Sequence, residues 1–133
     1  MTKILWMKII GFSLIILSLV GICVFEGVLV TTSLSKVNDY VYEIEAVAKE
    51  KGIVDGEVAS LVDNLFYTWD KYEKKLCLMV NHKSIEQLGI EIVRLQTYID
   101  EEEPIEFFVS LEIIKLYVEK FQHFMGSSLD NVL

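Results

Sequence analysis

The feature that most constrains this chain is a long uncharged stretch near its N-terminus. Residues 9–25 carry no charged side chain. The wider stretch 4–30 is also apolar apart from Lys8 and Glu26. A bilayer core about 30 Å thick needs about 20 helical residues at about 1.5 Å each. The segment is therefore long enough to cross a membrane as a helix, with Lys8 and Glu26 near opposite interfaces.

Three interpretations of this segment compete: a cleavable signal peptide, a membrane anchor and the core helix of a soluble protein. A signal peptide shares the basic start, but no A-x-A-like cleavage site follows, and residues 31–33 are the only small-residue run nearby. A core helix in so small a domain would seldom run this long without a polar face. We predict an uncleaved signal anchor, with residues 1–32 forming the N-terminus and the span.

The charges beside the span predict its orientation. Lys3 and Lys8 precede the apolar core of the span, and no acidic residue does. Basic residues favour the cytoplasmic side of a membrane. We therefore predict a single-pass protein of the cell membrane, with a cytoplasmic N-terminus and with residues 33–133 forming an acidic extracytoplasmic domain.

The charge of the second part restricts its partners. The chain has 12 basic and 20 acidic side chains. Since Lys3, Lys8 and Glu26 are the only charged residues before residue 34, the rest holds 10 basic and 19 acidic side chains. Phosphate backbones and anionic lipid headgroups repel such a domain, so nucleic-acid binding and peripheral docking on an anionic membrane are both disfavoured.

Beyond the span, apolar residues recur every three to four positions, which is the helical period. The first set continues from the span and ends before Gly52. Three further helices are predicted at about residues 58–79, 85–99 and 104–125, the last closed by Gly126. No run alternates with the period of a strand. The predicted fold class is all-α, with one N-terminal transmembrane helix followed by a small antiparallel bundle of three to four helices.

Local signals place the helix boundaries. Asp55 can cap the second helix. Residues 84–87 have the spacing of a capping box. The acidic run at residues 100–103 suits the N-terminal end of a helix dipole, and Pro104 suits the first turn of the last helix.

Enzyme motifs are missing from the sequence. It has no Gly-rich phosphate loop, no CxxC, no HExxH and no nucleophile elbow. Cys23 lies in the apolar segment and Cys77 far away in the acidic domain, so an internal disulfide is not expected. We predict a non-catalytic protein without a cofactor.

Two pairs of side chains are candidates for metal binding. His82 with Glu86 and Glu119 with His123 each stand four residues apart and would project two ligands from one helix face. Two such faces could together hold zinc. An i,i+4 pair of this kind is more commonly a solvated surface interaction, so we predict no metal site and keep these four residues as candidates. Five aromatic residues could line an apolar groove, although helical spacing favours a core role. They are Trp69, Phe107, Phe108, Phe121 and Phe124.

A combination of short motifs resembles a known family. The motifs are Thr-Trp-Asp-Lys around Trp69, the run Asn-His-Lys-Ser-Ile-Glu at residues 81–86, Leu-Gln-Thr-Tyr-Ile at residues 95–99 and Ser-Leu-Asp-Asn-Val at residues 128–132. Their order resembles the domain-of-unknown-function family 4363, small membrane-anchored proteins of spore-forming bacteria. The resemblance implies the architecture but no activity.

The predicted function is a membrane-anchored interaction module that belongs to a membrane protein complex. Its expected partners are the bilayer and another membrane or envelope protein, and a homo-oligomer is left open. The interaction candidates are Glu26, Trp69, His82 and Asn131. The alternative is a small extracytoplasmic sensor or binding domain, which would use His82 and His123 for a metal ion or the Trp69 region for an apolar ligand.

Overall fold

A computed structural model describes residues 2–79 and 82–132, with side chains given outside residues 78–79 and 124–132. The described residues form four helices and no strand. The helices are α1 (Thr2–Lys51), α2 (Gly56–Met79), α3 (His82–Asp100) and α4 (Pro104–Val132). The all-α prediction is confirmed, with three helices after the one that carries the apolar segment.

The apolar segment and the first helix of the packed region are one continuous helix. Side chains of α1 are exposed up to Phe25, and Val30 is the first buried residue. From there the buried positions follow the predicted steps of three and four. They are Val30, Ser33, Leu34, Val37, Val41, Ile44 and Ala48. The helix ends at Lys51. Gly52 follows with a φ of 90°, which suits glycine, and its N–H donates to the Ala48 carbonyl at 2.9 Å.

The N-terminal half of α1 is long and apolar enough to cross a membrane. Of its most apolar 18-residue window, 6% is buried inside the protein. The core helix of a soluble protein would instead be covered by its neighbours. The exposure of this half therefore argues against a core role.

The four helices contact one another in a closed ring. Helix α1 packs against α2 and α4, and α3 packs against the same two helices, whereas no contact within the described residues joins α1 to α3 or α2 to α4. Lys36 reaches Tyr72 near one end of the α1–α2 pair and Lys51 reaches Glu57 at the other, so these helices run in opposite directions. The buried side chains of all four helices form one hydrophobic cluster.

The predicted cap of α2 is confirmed. The Glu57 backbone N–H donates to Asp55 Oδ1 at 2.9 Å, and the Asp55 carbonyl accepts from the Val58 backbone. The first four N–H groups of a helix have no partner within the helix, and Asp55 supplies acceptors for those of Glu57 and Val58. The chain reverses direction between Lys51 and Gly56 with Ile53 buried against the core.

Two predicted boundaries are wrong. Helix α3 begins at His82, so Ser84 lies inside the first turn and the capping box at residues 84–87 does not form the helix start. Helix α4 continues through Gly126 to Val132. A glycine inside a helix costs about 1 kcal/mol relative to alanine, which a long helix tolerates. The predicted junction at residues 101–103 is confirmed, since α3 ends at Asp100 and α4 begins at Pro104.

Candidate functional site

An open groove of about 350 Å³ lies between α2 and α3. Its lining residues recur every three to four positions on both helices, so one face of each helix contributes. They are Phe66, Trp69, Asp70, Glu73, Glu86, Gly89, Ile90, Val93 and Arg94. Phe66, Ile90 and Val93 are partly exposed apolar side chains. The groove therefore offers apolar surface that the fold itself does not cover.

The two helices approach each other closely at Trp69 and Gly89. Trp69 is 2% exposed, and its indole Nε1 has no hydrogen-bond partner among the described residues. A Cβ atom on Gly89 would lie 2.9 Å from that nitrogen. Glycine is thus the residue that lets the α3 backbone pass over the indole edge. The unpaired donor is buried beneath Gly89 and is not part of the open surface of the groove.

The rim of the groove is acidic. Asp70, Glu73 and Glu86 contribute three carboxylates, and Arg94 is the only basic residue of the lining. Arg94 already pairs through Nη1 with Glu91 at 2.6 Å. A cationic side chain beside the apolar floor would therefore find unneutralised carboxylates.

A buried carboxylate next to the groove joins α3 to α4. Glu91 is 6% exposed, and its Oε2 accepts a hydrogen bond of 2.8 Å from the Ser110 hydroxyl. With Arg94 on the other oxygen, the charge is paired and hydrogen-bonded, as burial requires. The burial of Glu91 was not predicted from the sequence. Its position could have indicated it, because Glu91 lies three residues after Leu88 and four before Leu95, on the buried face of α3.

An ion pair joins α1 to α4. Glu45 and Lys115 form a salt bridge with side chains 17% and 14% exposed. Hydrogen bonds from Lys115 and then Lys49 lower the pKa of the Glu45 carboxyl. Burial would lower the pKa of Lys115, but its hydrogen bonds to Glu45 and Glu112 outweigh burial and raise it. The ammonium also lies 4.6 Å from the centre of the Tyr42 ring.

A second, larger depression of about 430 Å³ lies between α1 and α2. Two of its polar groups bond to each other: the Lys36 ammonium donates to the Tyr72 hydroxyl at 3.0 Å, and this bond lowers the pKa of Tyr72. Unlike the α2–α3 groove, it is lined by no purely hydrocarbon side chain. We therefore regard the α2–α3 groove as the stronger candidate.

The four metal candidates are exposed side chains. His82 and Glu86 lie in the first two turns of α3, and Glu119 and His123 lie on α4. Among the described residues, no group of three or more His, Cys, Asp and Glu side chains could hold a metal ion. The structure therefore does not bring these four together, although Glu86 lines the groove.

The interaction candidates are dispersed. Trp69 lines the α2–α3 groove, and His82 lies one turn from its end. Glu26 lies on α1, half-buried, one turn before the first buried residue. The side chain of Asn131 lies outside the described ones.

The two cysteines are free. Cys23 is exposed on the apolar half of α1 and Cys77 is half-buried on α2. Burial raises the pKa of the Cys77 thiol, with the carboxylates of Glu73 and Glu86 acting in the same direction. A thiol in this environment is a poor nucleophile at neutral pH.

Comparison with protein families gives one match, which covers most of the chain. A model for a domain of unknown function (DUF4363) matches residues 29–132. The chain belongs to the DUF4363 family. The match begins one residue before Val30, the first buried position of α1, so the DUF4363 domain coincides with the packed part of the protein. The resemblance stated from the sequence is confirmed at the level of the family.

No curated protein and no solved structure matches the chain. The description of DUF4363 names no activity. The groove, the charges and the apolar helix therefore carry the functional argument.

Proposed function

We propose that this DUF4363 protein is a non-catalytic, membrane-anchored helical module that binds another membrane or envelope protein outside the cytoplasm. The observation that carries the proposal is the continuity of α1, whose exposed apolar half passes without a break into the packed half. A helix that is both anchor and core element holds the folded domain at the membrane surface.

Continuity also supports an uncleaved anchor. Residues 31–33 are the only small-residue run close to the apolar segment, and they lie inside α1. Ser33 is buried and its hydroxyl donates to the Leu29 carbonyl at 2.7 Å, while Val30 and Leu34 on either side belong to the core. Cleavage here would remove Val30 from the hydrophobic cluster.

The four helices are best understood as an antiparallel bundle. Neighbours joined by short connections pack in a ring, and the Asp63–Gln96 and Trp69–Gly89 contacts support opposite directions for α2 and α3, as for α1 and α2. This arrangement is typical of up-and-down four-helix bundles. The orientation in the membrane rests on Lys3 and Lys8, which favour a cytoplasmic N-terminus.

The groove between α2 and α3 is the proposed binding surface. Its apolar floor and its acidic rim together fit one chemistry: a segment with apolar side chains and at least one lysine or arginine. Charge complementarity would guide association, and burial of the floor would supply affinity.

Site-specific photocrosslinking in cells tests this surface. A photoreactive residue at Ile90, in the groove, should give a discrete crosslinked product, and one at Leu116, which is more exposed but lies on α4, should not. Glu86→Lys should reduce the Ile90 product about fivefold, because one favourable charge pair becomes repulsive. Equal products from both positions, or an Ile90 product that Glu86→Lys leaves unchanged, would exclude the groove as the binding surface.

A further inference from the structure

We propose that the membrane-proximal end of the helical domain rests on anionic lipid headgroups through a ring of lysines. This inference rests on the proposed membrane anchoring. The occupant of the surface is the bilayer in which α1 is embedded, so the question is which side chains meet its headgroups.

The contacts between helices identify the side chains at this end. On α1, the packed half begins at Val30, and Lys36 lies less than two turns further along. The Lys36 ammonium bonds to the Tyr72 hydroxyl, which places the C-terminal part of α2 beside the start of the packed half. Lys71 lies beside Tyr72, and Lys74 and Lys75 lie still closer to the end of α2.

The other two helices contribute at the same end. Helix α3 begins at His82, three positions after the last residue of α2, so Lys83 lies at the same end as Lys75. On α4, Lys115 meets Glu45. Helix α4 runs back along α3 after the junction at residues 101–103, as the Ser110–Glu91 hydrogen bond indicates, so the later Lys120 lies nearer to the membrane. We call the resulting set the lysine collar. It consists of Lys36, Lys71, Lys74, Lys75, Lys83 and Lys120.

The collar concentrates the basic charge of the folded part. Six of its ten basic side chains belong to it, whereas the acidic residues at the turns Gly52–Gly56 and Asp100–Pro104 lie at the opposite end. On each of the first three helices, the charged residue of the packed region that lies nearest to the membrane is a collar lysine. On α2, for example, Lys75 is closer to the membrane end of the helix than Glu73. On α4 Lys120 follows Glu119, and Asp130 lies beyond both. The domain is therefore an electrostatic dipole along its long axis.

The distances suit contact with headgroups. At about 1.5 Å per helical residue, Lys120 lies about 15 Å beyond Val30, whereas Lys36 lies about 9 Å beyond it and Lys71, Lys74 and Lys75 lie at about that height or lower. This height is comparable with the headgroup layer and with the Debye length of about 8 Å at physiological ionic strength. Lysines at such a distance are attracted to anionic lipid. The net negative charge that disfavours membrane docking belongs mostly to the far end.

Lysine footprinting of the full-length protein in nanodiscs tests the collar. An amine-reactive reagent and mass spectrometry would give the modification rate of each lysine in zwitterionic nanodiscs and in nanodiscs with about one third phosphatidylglycerol. Lys71, Lys74 and Lys75 should react several-fold more slowly in the anionic discs. Lys49 and Lys51 at the far end should not change. The protection should disappear at about 0.5 M salt, where charges are screened.

Charge-reversal variants separate the outcomes. Lys74→Glu with Lys75→Glu should abolish the lipid-dependent protection of Lys71, and the matched pair Lys49→Glu with Lys51→Glu should leave it intact. Equal rates for the collar lysines in both lipids, with the protein embedded in the disc, would overturn the collar and leave the anchor standing. A chain that does not enter nanodiscs would overturn the anchor itself.

Discussion

Replacing Lys115 by methionine is expected to lower the free energy of unfolding by about 1–3 kcal/mol at neutral pH, the range for hydrogen bonds to charged groups. Lys115 is largely buried between α1 and α4 and pairs with both Glu45 and Glu112. The variant leaves the Glu45 carboxylate with the exposed Lys49 as its remaining cation. Denaturant unfolding of the full-length protein in detergent, followed by circular dichroism, measures the change.

The effect should depend on pH in a defined direction. The pKa of Glu45 is lowered from 4.5, so its contribution to stability is complete above pH 4.5 and is lost as the pH falls through the lowered pKa. The pKa of Lys115 is raised from 10.5, so its contribution is complete below that value and is lost as the pH rises through the raised pKa. The difference between wild type and variant should therefore be constant between these limits and shrink outside them.

Lys49→Met is the matched control, because Lys49 pairs with the same carboxylate but is 65% exposed. It should cost no more than about 0.5 kcal/mol, as exposed helical pairs do. If both variants lose the same stability, or if the Lys115→Met difference persists in strong acid, the half-buried pair does not join α1 to α4 as described.

Gly89→Ala is expected to lower the free energy of unfolding by about 1–2 kcal/mol. An added Cβ would lie 2.9 Å from Trp69 Nε1 and 3.3 Å from Glu73 Oε1. Glu73 can move, but the indole is held in the core, so α3 must shift away from α2. Overpacking of this kind costs about 1–3 kcal/mol, and the better helix propensity of alanine offsets at most about 1 kcal/mol.

Gly56→Ala is the comparison for Gly89→Ala. Gly56 is the first residue of α2, and an added Cβ there meets no atom within 4 Å. The same exchange should leave stability unchanged or raise it by up to about 1 kcal/mol. A Gly89→Ala protein as stable as Gly56→Ala would show that the two helices do not approach closely at the indole, and the shape of the groove would then differ.

The helices could be predicted from the sequence because their apolar residues follow a 3.6-residue period. The apolar residues that recur every three to four positions from Leu34 to Ala48 predicted that α1 continues up to Gly52. Asp55 predicted the start of α2. The end of α4 was misplaced because a glycine such as Gly126 stops a helix only when its backbone leaves the helical conformation. That choice depends on neighbouring helices and is not encoded in the residue type.

The candidate site was only partly predictable. The family motif drew attention to Trp69, and the i,i+4 pattern drew attention to Glu86, but their joint location in one groove depends on which faces of α2 and α3 meet. Gly89 and Glu91 were missed because their roles arise across helices: one lies against an indole, the other bonds to Ser110. The lysine collar likewise follows from the antiparallel order of the helices, which brings Lys36 and Lys75 to the same end.

The central claim is that α1 anchors a folded domain outside the cytoplasm. Protease treatment of intact cells stripped of their wall, with an epitope at the C-terminus and membrane fractionation alongside, tests it most directly. We predict that the full-length chain remains with the membrane and that the epitope is digested from outside. A chain that is released from the membrane, or an epitope that stays protected until the cells are lysed, would contradict the anchored extracytoplasmic module and, with it, the proposed partner surface.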